Sequence, residues 1–436
     1  MKITLCSKFY TSAFIVISTI PLIDVFYFGL FNEKRVAQIL LLTLCVPYIL
    51  QYNYRLLSSR TKIAIIILFL TSIISVSLSN NYLYSTLFFL HYFLLTGVIL
   101  VSSSTSNKVN YLYTTSIIIS LFLSGLFFLN CLFFIIDNKN FNYDGVFTGF
   151  YNIRFYNHFQ VSSMIFSLFF INNEKLKNIS LLTLTFNFLI IFISSARGAL
   201  LSIILTIALG IYLQILTSNE RKFILKSLLI SITLYFAYLF IEPSNFTNQG
   251  LLRETTSGRF SIWKDVITEI DFKSALFGNG AGTFYSKEHG VSHPHNSILS
   301  LIYDWGLVVT FIVVFYFIKL IKESLKYIKS TKKNINFNIS FLSLTALLLL
   351  SLVSGTLVMP IPQVIICTSI GVLAAHLKYQ PSINKNKVGY LIYAAVAFYL
   401  ILTAISFECQ STSPSGPNFW SNGQFNLSTC NFLNKG

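Results

Sequence analysis

Charge is what this chain has least of. Only 11% of its 436 residues are charged, against about 25% in a typical soluble domain, and acids are rarer than bases, 15 against 31. A soluble fold of this size would need far more polar surface, so that class is excluded. What stands in place of charge is apolar sequence, 54% of residues. It gathers into runs of about 17–25, the length that crosses a hydrocarbon core. Ile63–Leu78, Tyr111–Ile136, Ile179–Ser194, Leu225–Ile241, Ser297–Ile318 and Ile339–Val358 are examples. Lipid offers backbone N–H and C=O groups no partner, so each run must be helical. No small-residue cleavage site flanks Met1–Ile20, so it is not read simply as a cleaved signal peptide.

The fold expected is an all-α polytopic membrane protein of about 12–13 transmembrane helices. Spans are placed near residues 9–31, 36–51, 61–79, 82–101, 111–137, 155–172, 179–196, 198–217, 225–242, 297–318, 338–358, 360–377 and 389–406. The resulting organisation is 1–242 as membrane helices, 243–296 as one large periplasmic loop with short helices, 297–406 as further membrane helices, and 407–436 as a polar, periplasmic tail. Asn32–Arg35 is read as the first connector. The net charge of +16 orients the protein by the positive-inside rule, most strongly through Lys319, Lys322, Lys326, Lys329, Lys332 and Lys333. It favours anionic headgroups and not nucleic acid. Cys6, Cys45, Cys131 and Cys367 lie in or near spans as small apolar groups. Cys409 and Cys430 flank the tail, where they either form a disulfide or remain two thiols.

Three polar segments fall on one face: Asp137–Asn157, Pro243–Asn296 and the tail from Glu408. In the long loop, Ile262, Trp263, Val266, Ile267 and Ile270 have helical spacing over Ser261–Asp271, with Ser257 or Ser261 as its cap. Gly278-Asn279-Gly280-Ala281-Gly282 forces turns at which backbone can approach a ligand. It lacks the spacing and the Lys-Ser/Thr pair of a phosphate-binding P-loop. His289, His293 and His295 lack the helical i, i+4 framing of zinc hydrolases, and Pro294 excludes a regular helix between the last two; no metal site is assigned. No Ser-His-Asp order, paired carboxylates or nucleotide fingerprint stands out. No line of charges crosses the bilayer as in an ion-coupled transporter, which turns attention to the outer face.

There, Arg197 stands between two apolar runs, where a charge costs about 2.5 kcal/mol or more if buried. It either snorkels to headgroups or clamps a phosphate through bidentate bonds. Arg259 begins the loop helix, and Trp263 one turn later would pin its stem. Arg253 is a loop cation, and Arg154 sits in a polar string at a span entrance, contacting sugar or phosphate or anchoring the helix end. His295 opens a span, where it can take a proton from an attacking hydroxyl. His91 and His376 read as polar spots in helices, and Asp304 as an acid orienting polar groups.

In order along the chain, Ser195-Ala-Arg197-Gly with Leu201, Arg259-Phe-Ser-Ile-Trp263, Gly278-Asn-Gly280 and His293-Pro-His295-Asn296-Ser-Ile-Leu299 with Gly306 resemble the O-antigen ligase superfamily. That superfamily includes lipopolysaccharide O-antigen ligases, Wzy-type polymerases and bacterial protein O-oligosaccharyltransferases. The motif-bearing stretch is about 145–310; the rest matches only as a hydrophobic pattern. The resemblance implies a glycosyltransferase of the bacterial inner membrane that needs neither metal nor nucleotide, active at the periplasmic face. Its donor would be a glycan on undecaprenyl diphosphate. Arg197 and Arg259 would neutralise the diphosphate and His295 would be the base, with Arg154, Arg253, His293 and Asn296 as substrate-binding residues. Val309 departs from the pattern, where a second small residue often follows Gly306. Gly149–Gln160 and Pro417-Asn-Phe419-Trp420 look similar to ligases that modify pilin-like proteins, so the acceptor is lipid A–core or such a protein. A Wzy-type polymerase and, from another class, a flippase for lipid-linked oligosaccharide remain the alternatives.

Overall fold

A computed structural model describes residues 30–52, 58–136, 150, 153–241, 258–331, 334–377, 389–410, 416–423 and 430. The described part is helical and contains no strand. Among the described residues eight α-helices precede the loop: α1 (Leu30–Gln51), α2 (Ser59–Leu78), α3 (Tyr82–Ser104), α4 (Asn110–Ile136), α5 (Ile153–Phe170), α6 (Lys177–Ile193), α7 (Arg197–Tyr212) and α8 (Ser218–Ile241). Two short ones lie in it, α9 (Arg259–Glu269) and α10 (Phe272–Phe277). Four follow: α11 (Ser297–Ser330), α12 (Ile335–Ser351), α13 (Pro360–His376) and α14 (Gly389–Glu408). Six helices among the described residues are long and apolar enough to cross a membrane. This is an all-α polytopic membrane protein. Most of the first expected span, 9–31, lies outside the described residues, as does much of Asp137–Asn157.

Which helices meet lipid follows from what each exposes. Ile63, Ile66, Phe69 and Leu70 on α2, and Leu225, Leu229 and Phe236 on α8, are exposed large apolar side chains, tolerable only against hydrocarbon. By contrast, α5, α12 and α13 are buried along most of their length. Their small hydroxyl residues, such as Ser162, Ser163, Ser340 and Ser343, are wholly enclosed. Small side chains let backbones approach where apolar side chains gain nothing over lipid.

Two expectations about the spans are corrected. Asn32–Arg35 is no connector: α1 runs through it from Leu30, and all four residues are buried. Arg35 stays buried because each of its five N–H groups has an acceptor. Nε donates to Phe419 O (2.8 Å), Nη1 to Gln38 Oε1 (2.6 Å) and Gln363 Oε1 (3.0 Å), and Nη2 to Val358 O (2.5 Å) and Asn418 O (3.1 Å). Second, the run expected to reach Val358 ends as helix at Ser351, and Leu352–Gly355 turns back.

In the loop, Gly278 meets the backbone of Asp304, while Gly280 packs on the side chains of Ser79 and Ser85 and Gly282 on those of Tyr84 and Phe88. α11 is broken at Gly306 (φ 79°, ψ 173°), which frees the preceding carbonyls. Asn279 N donates to Tyr303 O at 2.7 Å and Gly280 N to Asp304 O at 3.2 Å. A Cβ on Gly278 would lie 2.4 Å from Asp304 O, and one on Gly306 2.2 Å from Leu276 O, so the end of α10 and the break in α11 are pressed together as bare backbone. The loop helix forms at Arg259–Glu269 with Gly258 as its N-cap, in place of a serine. Ser261 bonds back to Gly258 O at 2.9 Å.

The tail is folded onto this end of the bundle. Phe419 and Trp420 are buried, and Cys409 is joined to Cys430 by a disulfide. Arg35→Lys offers three donors in place of a five-donor planar fork and strands buried carbonyls, at about 2 kcal/mol or more. Thermal unfolding in lipid nanodiscs should fall accordingly, and the tail should become protease-sensitive; a wild-type melting curve would refute the role given to Arg35.

Candidate functional site

Five consecutive residues, from the last of α12 onward, collect the site. Ser351 Oγ shares a hydrogen bond with Ser297 Oγ at 2.8 Å, at the start of α11. Leu352 O accepts from Asn296 Nδ2 at 3.1 Å. Val353 packs on Gly198, where an added Cβ would sit 3.0 Å from Val353 Cγ2. Ser354 Oγ lies 2.5 Å from His158 Nε2 of α5, and Gly355 backs the His293 ring. This turn therefore ties the starts of α7 and α11 to α5 and to the histidine loop.

Arg197 is the first residue of α7, and Arg259 is the first residue of α9. A cation at a helix N-terminus opposes the helix dipole, so the position is poor for arginine but doubly attractive to an anion. The two lie close enough that Arg197 lowers the pKa of Arg259, after the larger effect of burial. Backbone strain marks the same place. Among the described residues only Ser195 (φ 51°), Gln214 (φ 55°) and His295 (φ 54°) are non-glycines with positive φ. Two of the three are a candidate site residue and the turn that delivers Arg197. Such conformations cost about 1–3 kcal/mol and persist where surroundings impose them.

His295 is held there from both sides. Trp263 Nε1 donates to Pro294 O at 2.9 Å, and Asn296 Oδ1 accepts from the N–H groups of Ile298 (3.0 Å) and Leu299 (3.1 Å), capping α11. The His293 ring lies 4.2 Å from that of His295, inclined at 58°. His293 Nδ1 is 2.9 Å from Pro417 O, so its proton sits on Nδ1 and the ring is anchored to the tail. Burial pushes the His293 pKa down to about 4. His295 is held well below the ordinary histidine value, by burial first and then by His293, Arg259 and His158. Unlike His293, it keeps part of its surface open. The arrangement is a neutral, reachable imidazole beside two guanidiniums at helix starts: it can bind an anion and accept a proton.

Of the residues singled out in sequence, Arg197, Arg259, His293 and His295 come together. Arg154 is exposed at the start of α5, one turn before His158 on the same face. Asn296 is committed at both ends of its amide to capping α11 and to Leu352 O, so its side chain shapes the site. Arg253 lies outside the described residues. Sequence reasoning missed His158, Ser354 and Gly355; the Ser354-Gly355 pair inside an apolar run was the available turn signal. His289, the third loop histidine, is instead 2.5 Å from Ser261 Oγ, where it braces α9.

A family model described as O-Antigen ligase matches residues 181–314, from α6 to the upper part of α11. This part of the chain is thus similar to the O-antigen ligase family, which supports a ligase- or polymerase-type membrane enzyme. Arg197, Arg259, His293, His295 and Gly306 fall inside the match; Arg35, His158, Gly355 and the tail fall outside it. No curated protein matches the chain.

The buried His293 makes the histidine loop acid-sensitive in a defined direction. Its folded pKa, about 4, lies below the ordinary value of about 6.5. Its contribution to stability is therefore complete above about pH 6.5 and lost as pH falls toward 4. The protection factors of amides within residues 289–296, taken relative to intrinsic exchange, should fall through that window in the wild type. In His293→Gln the protection of the same amides should vary less with pH.

Proposed function

We propose that this protein transfers a glycan from undecaprenyl diphosphate to an acceptor hydroxyl, the acceptor being lipid A–core or a pilin-like protein. The observation that carries the reading is the meeting of Arg197, Arg259 and a neutral His295 at one end of the bundle. In the reaction His295 takes the proton of the acceptor hydroxyl, whose oxygen bonds to the anomeric carbon. The bond from that carbon to the diphosphate oxygen breaks, and the electron pair leaves with undecaprenyl diphosphate. Arg197 and Arg259 meet the charge that develops there, a preorganised electrostatic role. Positive helix ends add to it. Arg154, on the face that carries His158, serves the glycan or phosphate from the side, and Arg253 is assigned the same class of contact.

The tail bears on the compartment. A disulfide closes Cys409 to Cys430, and His293 is anchored to the same tail. Stable disulfides belong to oxidising compartments, which supports a periplasmic site on the bacterial inner membrane. The same chemistry would serve a polymerase, with the hydroxyl on a growing glycan. A flippase would need cations along a path through the bilayer; here Arg197 and Arg259 gather at one end.

With donor supplied to the outer leaflet of proteoliposomes, the wild type should transfer glycan, whereas a flippase would not. His295→Ala should lower kcat by about 10²–10⁴, the range of general base catalysis; retained turnover in a folded variant would remove His295 as the base. Arg197→Ala and Arg259→Ala should lose more activity than the lysine variants, because charge survives in the latter while the bidentate fork does not.

The depressed His295 pKa places the acid limb of kcat/KM below about pH 6.5. Arg259→Gln removes one of the cations that lower it, so the limb should move toward higher pH. Movement toward lower pH would contradict the electrostatic assignment.

A further inference from the structure

A second cavity, of about 390 Å³, opens where the α2–α3 connector meets the far end of α9 and the Asn279 turn. Asn80, Asn81, Glu269, Asn279, Tyr84 and Tyr303 line it. Its walls are chemically unlike the reaction end: amides, phenols and one carboxylate, with no Lys or Arg among the described residues that line it. The walls are also built and held. Asn279 N is fixed to Tyr303 O at 2.7 Å, and Tyr303 Oη donates to Glu269 Oε2 at 2.9 Å. A carboxylate has about four lone-pair sites, so Glu269 keeps acceptor capacity for a ligand hydroxyl. Asn279 Nδ2 is buried without a hydrogen-bond partner, which is costly unless something fills that place.

Mixed donors and acceptors beside aromatic rings, with a carboxylate and no cation, suit an uncharged ring bearing many hydroxyls. They do not suit phosphate. The position is equally specific. α9 runs from Arg259 at the reaction end to Glu269 at the cavity, about 15 Å at the helical rise per residue. The first segment of α11 runs the same way, from Asn296 to Tyr303, over about 10 Å. Ile262 and Val266 of α9 share an apolar cluster with Tyr303 and Leu299 of α11, so both helices hold the two places at a fixed separation.

We propose that this cavity is a subsite for a neutral sugar unit of the transferred glycan, remote from the bond that breaks. The proposal rests on the glycan-transfer reading for its ligand class, though its test does not require turnover. The probe is the oligosaccharide released by mild acid from the host's own lipid-linked glycan, titrated calorimetrically into the protein in nanodiscs. Saturable binding is expected, with no competition from inorganic pyrophosphate. Glu269→Gln and Asn279→Ala should each weaken it about tenfold, the effect of one lost hydrogen bond to a ligand. Arg259→Ala should leave it within about twofold, since that residue stands a helix length away. Glu269→Gln is isosteric, so it keeps the test open if Asn279→Ala unfolds. Absence of binding by the wild type, unchanged affinity in Glu269→Gln, or displacement by pyrophosphate would overturn the subsite. If the free glycan binds here while the wild type transfers nothing from a lipid-linked donor, the subsite stands and the transfer reading falls.

Discussion

A guanidinium enclosed in a helical bundle must have every N–H met, because neither water nor lipid will do it. Arg35 meets that demand with acceptors from places far apart in the chain. Two are glutamine oxygens, one on its own helix and one on α13; three are backbone carbonyls, one before α13 and two in the tail. The ring of Phe419 lies over the same group, 4.8 Å from the guanidinium carbon. The consequence reaches beyond the arginine. Carbonyls of Pro417, Asn418 and Phe419 accept in succession from His293, Arg35 and Arg35, so a buried cation in α1 orders the strip of tail that orients the histidine loop. Asn418 adds its own amide, donating to Gly282 O at 3.2 Å and Ser292 O at 3.1 Å. Satisfying one charge thereby fixes the relation between three external segments.

At the reaction end electrostatics works in the opposite sense. Two guanidiniums are brought together at the positive ends of two helices, an arrangement that repels itself and lowers the pKa of Arg259. Such a site favours an incoming anion over its empty form. In the proposed transfer a diphosphate leaving group would gather charge as its bond to the sugar breaks, so the repulsion would be relieved most when the reaction is furthest advanced. The same cation keeps the base competent. Burial and the neighbouring Arg259, His293 and His158 all hold the proton off His295, so a basic nitrogen persists beside positive charge.

Much of this architecture was legible in the sequence, for a physical reason. Helix positions follow from the length and polarity of apolar runs, which the bilayer leaves no other way to satisfy. Arg197, Arg259 and His295 stood out because cations and histidines are conspicuous against an apolar background. What stayed hidden depends on partners distant in sequence. Asn32–Arg35 looks like a connector because its charge would be unaffordable in lipid; the acceptors that let it lie within a helix come largely from residues more than 300 positions on, in the tail and around the start of α13. Gly278 reads as a turn and Gly306 as one residue of a span, whereas each is required by the backbone of the other's segment. The polar stop at Ser354-Gly355 was overridden by the hydrophobic residues on either side. Asn296 drew notice as part of a motif with His295, yet its contribution is to start a helix.

The break at Gly306 connects these observations. An unbroken α11 would carry Asn296–Trp305 straight on from the membrane segment, with Tyr303 and Asp304 carbonyls committed to the helical ladder. Broken, the helix releases those carbonyls to the Asn279 turn and lets its first segment lie against α9. That pairing gives two helices whose starts hold the anion-seeking and proton-accepting groups. Glu269 at the end of α9 and Tyr303 near the break reach the uncharged cavity. A lipid-linked glycan has the same polarity along its length, charged where it joins the lipid and rich in hydroxyls beyond. Under the proposed function, the matching order of charge along α9 and α11 would make the loop more than a lid: it would offer a surface on which a donor of that kind is read from one end to the other, with its reactive bond beside His295.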